Sequence, residues 1–199
     1  MRLWLFGCKM RVSPLFFAMI ALLLLIDRTG MMPFVLCAIA IHETGHLIVM
    51  RRYGIRPSEI ALLPFEINIQ KPAVCGSDRQ ELWVSAAGVI ANLLCGTVAT
   101  AVWIAHPFLW ALQLGICNLV LGAFEALPIA GLDGYRTLRC IGHIRRGPRP
   151  SMSLAILSYF TLGFLVTAGI LVVWKAGNPL PLLFCLYMGL LLPRHEDVS

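Results

Sequence analysis

The residues best placed to do chemistry are His42-Glu43-Thr44-Gly45-His46, inside the apolar stretch Met31–Met50. In a helix, residues four apart stand one above the other, so His42 and His46 offer two imidazoles to one cation. Glu43 follows the first of them and can act as general base toward a water that such a cation acidifies to near neutral pH. The plainer reading is two histidines and a glutamate bonded to one another within a helix bundle. An acid inside a bilayer span is costly and marks a functional position by default, which favours the metal reading.

Two imidazoles do not complete a site, because catalytic zinc takes three protein ligands and keeps a fourth position open. Asp133, in Leu132-Asp133-Gly134, is the candidate third ligand. It falls at the end of a later apolar span, at the depth expected of His46 in its own helix. Pro128, Gly131 and Gly134 predict a broken helix there, which would let the carboxylate turn inward. An ordinary Asp-Gly turn at a helix end is the alternative.

The elements that must carry these residues follow from composition. Of 199 residues, 59% are apolar and 13% are charged, against about 25% charged in soluble domains. Such a chain cannot coat a soluble globule with polar groups, and a disordered tail or a small secreted scaffold is equally excluded. The seven cysteines are odd in number and form no CxxC pair, which argues against a disulfide framework or a cysteine zinc site. Six stretches are apolar enough to span a bilayer: Ser13–Ile26, Met31–Met50, Leu82–Ala105, Pro107–Pro128, Ser151–Trp174 and Pro179–Leu192.

With the N-terminus in the cytoplasm, alternation through six helices puts 14 of the 16 basic residues on that side, leaving only Arg28 and Lys175 outside. The positive-inside rule therefore predicts cytoplasmic N- and C-termini, and the net charge of +6 reads as a topology signal facing anionic lipid rather than a nucleic-acid surface. Between the second and third spans, Ile60–Leu63 and Phe65–Ile69 read as two short strands hinged near Pro64, a re-entrant or interfacial hairpin. The fold class expected is an all-α membrane protein. It is a bundle of about six transmembrane helices with a small membrane-associated β-hairpin, one domain over residues 1–199 with no appended soluble domain.

These residues resemble the site-2 protease family of intramembrane zinc metalloproteases, especially the branch of the stage IV sporulation protein FB. The likeness runs from about Ile41 to Arg136 and rests on three motifs. They are HETGH, the small-residue run Ala86–Leu94 (AAGVIANLL) and Phe124–Tyr135 (FEALPIAGLDGY). Ala61-Leu62-Leu63-Pro64-Phe65 is similar to the family's hairpin beside its active site. The resemblance implies one zinc ion held by His42, His46 and Asp133, with Glu43 activating water. It implies a membrane-embedded or membrane-associated protein substrate, with Glu125, Asn118 and Phe65 as candidate contacts. A bacterial cytoplasmic membrane and a regulatory membrane partner are part of the same expectation.

Two positions depart from the family pattern: Glu125 replaces an asparagine eight residues before the aspartate, and Gly131 replaces a proline two before it. They motivate an alternative, a catalytically altered relative that serves as a metal-binding or substrate-binding scaffold. The run Ala86–Leu94 reads as helix packing through small residues, with Asn92 as an interhelical hydrogen bonder.

Overall fold

The computed structural model describes residues 2–5, 8–55, 59–63, 66–70, 77–147, 152–177, 182–183 and 185–189. The elements bounded among the described residues are β1 (Arg2–Leu5), β2 (Cys8–Val12), α1 (Pro14–Ile26), α2 (Met32–Arg52), β3 (Glu59–Leu63), β4 (Glu66–Gln70), α3 (Asp78–Ala105), α4 (Leu109–Glu125), α5 (Asp133–Arg146) and α6 (Met152–Ala176). They fall into two compact units, Met1–Gly122 and Ala123–Ser199.

Among the described residues, α2, α3 and α6 are long and apolar enough to cross a membrane, and α1 and α4 are shorter apolar helices. At 1.5 Å per residue the 21-residue α2 and 28-residue α3 reach about 32 and 42 Å, beyond the roughly 30 Å hydrocarbon core. The helix ends follow local chemistry. Pro33 occupies the first turn of α2 and Arg51 and Arg52 its last, where the helix dipole favours cations. Asp78 and Glu81 open α3 at the positive end of its dipole. The fourth span ends at Glu125 rather than Pro128, since proline disfavours helical backbone in the residue before it. Half of the sixth expected span, Pro179–Leu192, lies outside the described residues, with helix at 182–183 and 185–189.

The first unit inverts the rule of soluble proteins. His42, Ser85, Asn92 and Asn118 are buried, while Leu25, Ile48, Leu94 and Ile104 face outward. That inversion suits a hydrocarbon solvent, in which an unpaired polar group is the costly one. Small residues let the helices meet. A Cβ on Gly45 would stand 2.7 Å from the Ala87 carbonyl oxygen of α3, and one on Gly115 of α4 would stand 2.6 Å from Thr100 Oγ1. Between α1 and α2, Asp27 fixes the turn by accepting from the amides of Met32 at 2.8 Å and Thr29 at 3.0 Å. These bonds hold its carboxyl below the usual carboxylate range, the Met32 amide contributing most.

The same unit holds a four-stranded sheet in the order β1-β2-β3-β4. β3 and β4 pair antiparallel, Glu59 opposite Gln70 and Leu63 opposite Glu66, and β2 joins β3 in parallel. The two strands sought in the sequence are therefore present and paired, but within a larger sheet than an isolated pair. The fold is mainly helical rather than all-α. Cys8-Lys9-Met10-Arg11-Val12 alternates apolar and basic residues, a strand signal that reads equally well as the basic flank of a membrane helix.

In the second unit, Ile129, Ala130, Leu132, Leu162 and Met188 form a buried apolar core, with Phe124, Leu127 and Tyr135 packed around it. The residues between α4 and α5 belong to that core. Ala130 donates its amide to Ser158 Oγ of α6 at 2.9 Å, and Ser158 is fully buried.

Candidate metal centre

The α2–α3 crossing in the first unit determines the setting of the two histidines. Their Nε2 atoms are 3.1 Å apart and their rings stand at 84° with centroids 4.7 Å apart. Two nitrogens bound to one tetrahedral zinc at about 2.0–2.1 Å would lie roughly 3.3–3.4 Å apart, so the pair already has nearly the spacing of shared ligands. His46 Nδ1–H donates to the Val84 carbonyl at 2.7 Å, which fixes the tautomer and leaves Nε2 as the donor atom toward a metal. His42 is buried, and its Nδ1 faces the side-chain amide of Asn92 at 3.4 Å.

Gly88 forms the floor beneath both rings. A Cβ there would come within 2.5 Å of His46 Nε2 and 2.7 Å of His42 Nε2. No residue but glycine leaves room for both imidazoles at this point. The small-residue run therefore does two jobs, meeting Gly45 closely at Ala87 and clearing space for the two imidazoles at Gly88. Sequence reading found the run but not the second job, nor the role of the Val84 carbonyl, because a backbone acceptor carries no residue signature.

Glu43 is half-buried on α2. Asn118, a candidate substrate contact, is fully buried on α4 and its amide donates to the Leu114 carbonyl of its own helix at 2.9 Å. Phe65 and Pro64 lie outside the described residues.

In the second unit Asp133 is buried and is the first residue of α5. Its carboxylate stands at the positive end of the helix dipole, with Arg136 Nη1 3.8 Å from Oδ1. Gly131 ahead of it has φ +102°, a conformation closed to proline, whose φ is near −65°. The departure at this position therefore carries a different loop backbone. Gly134 runs against the Ala126 and Leu127 carbonyls, leaving no room for a Cβ. Glu125, the other departure, makes a long contact in which its Oε2 accepts from the Asp133 amide at 3.5 Å. This glutamate thus faces the start of α5, a backbone-supporting position as well as a candidate substrate contact.

Comparison with known proteins bears on this geometry. No family model matches the chain. A curated protein, zinc metalloprotease MJ0392 of Methanocaldococcus jannaschii, is 27% identical over 156 residues, which are 75% of this chain and 42% of that protein. The chain thus spans under half the length of this relative. The solved structure of a site-2 protease from Methanocaldococcus jannaschii superposes with a TM-score of 0.65 at 21% identity, covering 98% of this chain and 94% of that one. The two share a fold. On α2 of this chain that fold carries His42, which is buried, and His46, which is half-buried.

Proposed function

We propose that the chain is an intramembrane zinc metalloprotease of the site-2 protease type, and that His42, His46 and Asp133 each give one donor atom to a single divalent ion. The observation that carries this reading is the pair of Nε2 atoms 3.1 Å apart on a helix long and apolar enough to cross a membrane. Two neutral imidazoles and one carboxylate suit zinc and leave a coordination position open. When bound, the ion would supply Lewis acidity, polarising a peptide carbonyl and making hydroxide available near neutral pH.

The remaining work belongs to the chain. Glu43 takes the proton of the attacking water and passes it to the leaving amine. Gly88 and the Val84 carbonyl keep the imidazoles aimed. A membrane-embedded or membrane-associated protein is the substrate, and it must unwind locally, since a helix hides its carbonyls in its own hydrogen bonds. Among the described residues β4 stands at the end of the strand order, and an extended substrate can add there. The likeness of HETGH and FEALPIAGLDGY to the stage IV sporulation protein FB branch supports placing the chain near it. The clustering of basic residues supports cytoplasmic termini, and the family resemblance supports a bacterial cytoplasmic membrane, where a membrane partner would regulate access.

Glu43→Gln tests the assignment. Zinc content should stay at one per chain while cleavage of a membrane-protein substrate falls by at least about 100-fold. Undiminished cleavage would end the assignment. A second reading, a metal-binding scaffold without hydrolysis, is favoured by Glu125 standing where the family pattern has asparagine. Glu125→Asn discriminates: cleavage that appears or rises supports the scaffold reading, and cleavage that is lost makes Glu125 a working residue of a protease.

A further inference from the structure

For His42 and His46 to serve one cation, both Nε2 atoms must be bare, so each ring must carry its proton on Nδ1. His46 meets that condition through the Val84 carbonyl. The Nδ1 of His42 faces Asn92, which is fully buried on α3. As oriented, the Asn92 amide nitrogen points at Nδ1, an arrangement that puts the ring proton on Nε2, the atom the metal needs. It also leaves the buried Asn92 Oδ1 without a hydrogen-bond partner.

The amide oxygen and nitrogen are nearly equal in size, so turning the group by half a revolution is sterically free and reverses its hydrogen-bonding sense. Either orientation leaves one end of the amide over, and the ring proton decides between them. We propose that Asn92 is the positioning residue that sets the metal-binding tautomer of His42, its side-chain oxygen accepting from His42 Nδ1–H. This rests on the zinc reading above and names a support for one ligand that the ligand set does not include. Asn92 and Gly88 lie four residues apart, so one face of α3 both clears space for the rings and holds the His42 proton.

The experiment measures zinc affinity of the full chain in detergent by chelator competition, with thermal unfolding of the zinc-free protein alongside. Asn92→Leu keeps the side-chain size and removes the acceptor; zinc affinity should fall about 10–100-fold, the usual cost of losing a support for a metal ligand. Asn92→Asp restores an acceptor and should bind zinc within a few-fold of the parent or more tightly. Unchanged affinity in Asn92→Leu overturns the proposal. Equal losses in both variants overturn it too, because packing rather than the acceptor would then be responsible. A parent chain whose zinc content does not respond to His42→Ala refutes the zinc reading itself and this inference with it.

Discussion

The α2–α3 crossing and the Asp133 turn each hold side chains proposed here as metal ligands, by opposite means. At the crossing the backbone is regular helix, and the site is made by side chains: two imidazoles, a glycine beneath them and a buried asparagine beside them. At the turn the backbone itself is the device, with Gly131 at φ +102°, Gly134 against the Ala126 carbonyl and Ala130 tied to Ser158. A side chain can rotate away from an intruding methyl group; a carbonyl in a packed turn cannot without moving the chain. Damage at the crossing should therefore fall on metal binding, and damage at the turn on folding.

Gly88→Ala is the sharpest way to break that contrast. Its methyl group would stand 2.5 Å from His46 Nε2, and zinc affinity should fall at least about 100-fold as the rings turn aside. Melting of the zinc-free chain should change little, since the helix propensity gained on replacing glycine, up to about 1 kcal/mol, offsets the crowding. A collapse in stability with zinc binding intact would reverse the roles assigned to the two regions.

Gly134→Ala is the counterpart. The added carbon meets backbone, and unfolding in detergent should show a loss of about 3 kcal/mol, the upper end for overpacking. Ser158→Ala removes the acceptor of the buried Ala130 amide and should cost about 1–2 kcal/mol, read from the same unfolding curves. The smallest effect belongs to Asp27, outside both regions. Its folded carboxyl titrates below the usual range, so its contribution is present above the unfolded value of about 3.9 and is lost as pH falls through the lower folded one. Faster exchange of the Met32 amide below that range in the parent, and no such step in Asp27→Asn, is the expected result.

The candidate ligand types were legible because they need spacing alone. Histidines at i and i+4 define one helix face wherever the helix sits, and Glu43 is fixed beside the first of them. The spans around them were legible because hydrocarbon selects long apolar runs, and α2 and α3 begin and end within a few residues of the expected limits. Less was legible where two physical causes give one pattern. Lys9 and Arg11 serve an inside-positive flank and an alternating strand equally well, and β2 was read as the former. Glu125 and Gly131 were visible only as departures; their place at the start of α5 depends on a turn that no local propensity specifies.

Composition and spacing by themselves determined a membrane-embedded, largely helical chain carrying the elements of a histidine–carboxylate metal site. Tertiary structure alone decided what stands beside the two imidazoles: the Val84 carbonyl, the space left by Gly88 and the buried amide of Asn92. The reason is physical. Periodicity is a property of one segment and can be read along it, whereas an acceptor or a cleared volume exists only where a second segment crosses the first.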